Sequence, residues 1–100
     1  MYRGTTPTLT FTVPFDCSTI TACSVAFAQN DVVVLEKKIG DCHLEGNVIT
    51  VPLTEEDTLV FDCKKRALDI QLRIGCGAER FASQIIHTHV DKILKDGCLE

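Results

Sequence analysis

His87 and His89 have the type and spacing to do chemistry in this 100-residue sequence. Two residues apart on an extended strand, they project from one face, where two imidazoles can share a metal ion. A closed site needs a further ligand from a neighbouring strand, and His43 or a cysteine could supply it. If Ile86, Thr88 and Val90 take the core instead, both histidines face water. We adopt that reading and expect no metal and no cofactor. Glu55, Glu56 and Asp57 are adjacent carboxylates, but they follow Thr54 at the start of a helical turn, where they complement the helix dipole. Ser, His and Asp all occur without a Gly-x-Ser-x-Gly elbow to frame a nucleophile. Gly75 and Gly77 mark a hairpin turn, not a phosphate loop between strand and helix. No catalytic residue is expected, and the chain reads as a non-enzyme.

The six cysteines, Cys17, Cys23, Cys42, Cys63, Cys76 and Cys98, are even in number. They contain no Cys-x-x-Cys pair, so zinc-ribbon and thioredoxin-type motifs are absent. No apolar stretch of signal-peptide length follows Met1. A chain that folds in a cytoplasm with an adequate core keeps its cysteines as thiols; six free thiols are expected. The same start is also compatible with a signal already removed.

Charge narrows the partners. A net charge of −4 argues against nucleic acid, whose phosphates need clustered Lys and Arg. The basic run Lys64-Lys-Arg66 is short enough to be a solvated loop. The longest uncharged apolar run, Val32-Val-Val-Leu35, is too short to cross a bilayer. With 45% hydrophobic and 24% charged residues, the composition is that of a globular domain and not of a disordered tail.

The elements that must hold these residues are strands. Thr8 to Val13 alternates, with Leu9, Phe11 and Val13 inward. Ala22 to Ala28 follows, turned at Gln29-Asn-Asp31 because Asn and Asp tolerate the left-handed backbone of a tight hairpin. Asp31 to Lys37 returns, with Val33 and Leu35 inward and Val32 and Val34 outward. Cys42 to Leu44 is a short extended piece before Val48 to Leu53, which Pro52 confines to a sheet edge or to its own end. Thr54-Glu-Glu-Asp57 is a capping-box-like start for a helical turn that carries Leu59 and Phe61 back over the sheet. Ala67 to Ile74 places Leu68, Ile70, Leu72 and Ile74 inward and Asp69, Gln71 and Arg73 in water. Phe81 to Val90 returns as one strand, and Asp91 caps a last helical turn stopped by Gly97. The expected centre of the core is Leu9, Phe11, Val25, Phe27, Ile49, Val51, Leu68, Ile70 and Leu72. Strands at this spacing predict an all-β antiparallel sandwich with one or two short helical turns, a single domain over residues 1–98. Leu99-Glu100 resembles a cloning scar.

Tyr2-Arg-Gly-Thr-Thr-Pro-Thr-Leu-Thr-Phe11, Val25-Ala-Phe-Ala-Gln-Asn30, Leu53-Thr-Glu-Glu-Asp-Thr58 and Ile93-Leu-Lys-Asp-Gly97 resemble a family of small prophage proteins of Firmicutes. More distantly, the order of features is similar to the immunoglobulin-like N-terminal domain of phage baseplate upper proteins. There an initial glycine-threonine strand also comes first, and a Leu-Thr-x-Glu-Asp-Thr corner precedes a strand pair. The resemblance spans nearly the whole chain. It implies an immunoglobulin-like sandwich and a structural part in a tail or baseplate. The partners it implies are further copies of the chain or other tail proteins, first in the host cytoplasm and then in the virion. The cysteines are not required by the resemblance. The alternative is a stand-alone binding module for a carbohydrate or another ligand; with no Trp and one Tyr, the chain lacks the aromatic platforms usual on sugar-binding faces. The interaction surface expected is Val32 and Val34 on one strand with Ala22, Ser24 and Ala26 on its hairpin partner, where small residues let another chain approach.

Overall fold

The computed structural model describes residues 1–95, so Gly97, Cys98 and the terminal Leu99-Glu100 lie outside the described residues. The strands are β1 (Thr8–Thr12), β2 (Ala22–Gln29), β3 (Val32–Lys38), β4 (His43–Glu45) and β5 (Val48–Pro52). After a short helix, α1 (Glu55–Leu59), come β6 (Ala67–Cys76), β7 (Glu79–Ala82) and β8 (Ile86–His89). Single 3-10 turns lie at Cys17–Thr19 and Ile39–Asp41. The smaller sheet has the order β1-β5-β4; the larger has β3-β2-β6-β7, with β8 also on β6. All these pairings are antiparallel. The result is an all-β sandwich.

The alternation of apolar residues sets which faces meet. Val25, Phe27, Leu68, Ile70 and Leu72 of the larger sheet and Ile49 and Val51 of the smaller are buried as expected. Leu9 and Phe11 pack against them half-buried, because β1 is an edge strand. Phe61 and Val90, from outside the strands, also join the core, and the Phe27 and Phe61 rings lie 5.7 Å apart.

The hairpin turn forms at Asn30 and Asp31, with φ of 52° and 64°. Beyond it the expected face assignment fails. Phe27 opposes Leu35 but Ala28 opposes Val33, so Val34 is an extra residue in β3. Such a bulge shifts the pairing by one and exchanges the two faces. Val33 therefore stands outward beside Ala28 and is exposed, whereas Val34 packs against the core. Val32 is exposed at the hairpin end opposite Gln29.

Of the two places that Pro52 allowed, the structure takes the second: strand β5 is the centre of its sheet and Pro52 is its last residue. Two other expectations are corrected. The segment from Phe81 to Val90 is two strands, parted where Ser83 takes over the ladder. Its hydroxyl accepts the Leu72 N–H (3.0 Å), and its own N–H donates to the Leu72 carbonyl (2.8 Å). No helix begins at Asp91; that residue forms an isolated bridge with Tyr2 and accepts the Arg3 N–H at 3.1 Å.

The corner at α1 is held from four sides. Thr54 accepts the Asp57 N–H and Asp57 accepts the Thr54 N–H, a reciprocal capping box. Arg3 donates to the carbonyls of Leu59 and Phe61 at the helix end (2.9 and 2.7 Å). The fully buried Thr58 hydroxyl accepts the Thr5 N–H and donates to the Thr5 carbonyl. Gln29, also buried, exchanges two 2.9 Å hydrogen bonds with the Asp62 backbone, as a strand residue would. Lys37 crosses from β3 to Asp57 at 2.8 Å. Burial alone would raise the Asp57 carboxyl; the hydrogen bond from Lys37 and the Thr54 N–H outweigh it and hold the pKa below its ordinary 3.8.

Candidate functional site

Chemistry that the fold does not consume lies on the outer face of the larger sheet. Side chains directly opposite on an antiparallel pair share a face, so the register lays this surface out in rows. Ser24 has Lys38 on one side and Arg73 on the other. Ala26 has Glu36 and Gln71; Ala28 has Val33 and Asp69, with His87 beyond. Ala22 lies beside Gly75 and then Arg80. The centre is thus paved with small residues and the flanks carry charge.

His87 and His89 share this face but serve different carboxylates. His87 Nδ1 is 2.7 Å from Asp69, whereas His89 Nε2 is 3.6 Å from Asp91. Asp91 also faces Arg66 and the amino group of Met1. The third ligand suggested from sequence, His43, lies on β4 in the opposite sheet beside Glu45. Among the described residues no three metal-ligating side chains converge.

Of the expected interaction residues, Ala22, Ser24 and Ala26 lie together on this face. Val32, opposite the buried Gln29, is exposed at the hairpin end but on the other face, and the bulge removes Val34 from the surface and substitutes Val33. Ile85, half exposed, flanks a shallow hollow of about 180 Å³ with Ala26, Ala28 and Val33.

No protein-family model, curated protein or solved structure matches this chain. Geometry alone therefore distinguishes its surfaces.

Three of the cysteines are poorly suited to act as nucleophiles. Cys17, Cys23, Cys42, Cys63 and Cys76 are free thiols. Burial first, and then neighbouring Cys42, pushes Cys23 up to about 12. Burial also raises Cys17 and Cys42. All three stay protonated and unreactive near neutrality. Glu55, Glu56 and Asp57 occupy the first turn of α1, as the capping reading expects.

Two features escaped sequence reasoning. The first is a cup of about 380 Å³ at the Ala22–Ser24 end of the face, with Lys38, Arg73 and Arg80 at its rim. Gly75 is inside β6 rather than in the turn, which falls at Gly77 (φ 61°). A Cβ on Gly75 would lie 3.1 Å from Arg80 Nη1 and 3.3 Å from the Ala22 Cβ. Its absence lets the guanidinium lie against the strand. An isolated Gly in a strand is the available signal for such close approach. The second is an apolar cleft of about 480 Å³ at the free edge of β1, lined by Phe11, Val13, Phe15, Leu72 and Phe81.

Proposed function

We propose that this protein is a non-enzymatic structural component of a phage or prophage tail or baseplate, acting through protein–protein contacts. The observation that carries the reading is the outer face of the larger sheet: Ala22, Ser24, Ala26 and Ala28 in one file, with exposed Val33 beside it. A floor of small side chains allows a second surface to approach the sheet closely, and the exposed apolar Val33 at its edge rewards burial. The five-stranded sheet also ends at β3, whose outer edge is unpaired among the described residues; only its far half, Glu36-Lys-Lys38, carries the charges that discourage edge pairing. The partners are further copies of the chain or other tail proteins, met in the host cytoplasm and retained in the virion.

Strand order supports an immunoglobulin-like sandwich as the scaffold. In chain order, β1, β5 and β4 correspond to strands B, E and D of that fold, and β3, β2, β6 and β7 to C′, C, F and G. The capped corner at Thr54 then falls between E and F, in keeping with the resemblance.

Light scattering across a concentration series tests the reading. The wild type should associate, alone or with tail proteins encoded beside it, and an Ala26→Arg, Val33→Glu double variant should remain folded and lose that association. A wild type that stays monomeric, with partner binding unaffected by the double change, would remove this surface from consideration.

The cleft at β1 favours a second reading, a ligand-binding module. Its walls are apolar, so the ligand would be an apolar group rather than a sugar. Filling it by a Val13→Phe change should abolish such binding while leaving association through the opposite face intact.

A further inference from the structure

Lys38, Arg73 and Arg80 gather three cations around one small-residue floor in a chain whose net charge is −4. The row Lys38–Ser24–Arg73 spans three adjacent strands, each about 4.8 Å from the next. Arg80 reaches over the next row, resting on Gly75. It is held there by donating from Nη1 to the carbonyls of Gly77 and Glu79 (2.6 and 2.9 Å), which leaves its other N–H groups for a ligand. Lys38 is 3.4 Å from Glu36 on its own strand and is partly neutralised. Arg73 is different. Among the described residues, neither its exposed guanidinium nor the Ser24 hydroxyl beside it has a partner, although carboxylates are plentiful in the chain.

We propose that this cup is a docking site for a carboxylate-rich protein segment, the side chains of consecutive Asp or Glu residues lying across Ser24 and Gly75. Charge complementarity selects the occupant. A guanidinium presents paired N–H donors in a fork that matches a carboxylate, and Ser24 adds a neutral donor between the cations. A long nucleic-acid polyanion meets repulsion from the acidic remainder of the surface, beyond a Debye length of about 8–10 Å from the cup. A short acidic segment meets the three cations and a single lining carboxylate, Glu36, which Lys38 already faces. The proposal rests on the assembly reading in one respect, that the occupant is protein.

The test is titration of the 15N-labelled chain with a hexaglutamate peptide at low salt. Amides of Ser24, Lys38, Arg73 and Gly75 should shift together and saturate. Arg73→Gln should weaken the peptide about tenfold or more, the loss of one charge-assisted contact, while Lys64→Gln, which removes the same charge from the distant loop, should leave affinity unchanged. Raising salt to about 0.5 M should weaken binding strongly. Shifts confined elsewhere, equal weakening by Lys64→Gln, or saturation by inorganic phosphate or duplex DNA without hexaglutamate would each overturn the proposal. If Arg73→Gln loses its dispersed spectrum, the wild-type shift map and salt series decide. Because the titration uses the chain alone, it separates from the association test: a monomeric wild type that still binds hexaglutamate in the cup defeats only the self-assembly surface.

Discussion

At the corner around α1, Arg3, Gln29, Lys37, Asp57 and Thr58 are all partnered within the chain. On the outer face of the larger sheet, Arg73 and Ser24 are not, and Lys38 has only its exposed neighbour Glu36. The two regions draw on similar polar residue types, yet one ties loops to the sandwich and the other faces outward. Burial explains the contrast. A polar group taken out of water must find its partner inside the fold, and every buried side-chain polar atom among the described residues has done so. A polar group on an open sheet face is under no such demand, so its identity is free to serve a partner. The comparison predicts that substitutions at the corner and in the core beneath it damage stability, whereas those on the outer face damage only contacts.

The largest effect belongs to the core that both regions share. Phe27 is fully buried, points away from the outer face, and packs on Phe61 beneath the corner. Phe27→Ala should cost about 3–5 kcal/mol, measured by equilibrium denaturation. A loss below about 1 kcal/mol would mean that β2 is turned over and that the two regions have exchanged places.

Gln29 comes next. Its amide completes both hydrogen bonds of the Asp62 backbone. Gln29→Leu keeps the volume but removes both, and should cost about 2 kcal/mol, near the sum of two ordinary net contributions. Amide exchange at Asp62 should accelerate in the variant. An unchanged rate would show that the corner does not depend on this clasp.

This clasp also shows where sequence becomes silent. The strands of the sandwich, its inward faces and the capping box at Thr54 were legible because alternation and the Thr-to-Asp spacing are local properties. Gln29 was legible only as part of a turn, since its partner lies 33 residues away. Arg3 likewise reads as an N-terminal charge until the fold brings it to the end of α1. The bulge at Val34 was hidden for a different reason: four consecutive apolar residues carry no period, so neither face is marked until Phe27 and Ala28 fix the pairing. The cup was hidden in the same way, because Lys38 and Arg73 become neighbours only through the β2 register, Arg80 joins them only through the β6–β7 pairing, and Gly75 looked like part of the turn that follows it.

A smaller effect, and a pH-dependent one, is expected at Lys37. The ion pair with Asp57 is largely screened from solvent, with side chains 16% and 14% exposed. Lys37→Met should cost about 1.5 kcal/mol near neutrality. The carboxyl is held below 3.8 in the folded chain, so its contribution is present in full above that ordinary value. It is lost as the pH falls through the lower, folded one. The wild type should therefore lose more stability than Lys37→Met on acidification through this range. Parallel acid profiles for the two proteins would place Asp57's stabilisation in the capping box alone.

The smallest expected effect is the sharpest test of the comparison. Arg73 is exposed, points away from the core and has no partner among the described residues, so its loss leaves no buried group unsatisfied and opens no cavity. Arg73→Gln should change stability by less than about 0.5 kcal/mol, the range of surface substitutions away from caps and networks. Arg80→Gln should cost somewhat more, because Arg80 spans the β6–β7 turn through its bonds to Gly77 and Glu79. The two arginines thus divide the outer face itself: one is partly built into the turn, the other is committed to nothing within the chain. Denaturation midpoints ordered wild type, Arg73→Gln and then Arg80→Gln, with the first two nearly coincident, would support that division. A drop of more than about 1 kcal/mol for Arg73→Gln would place its guanidinium in an interaction within the fold, and the outer face would then be structural like the corner.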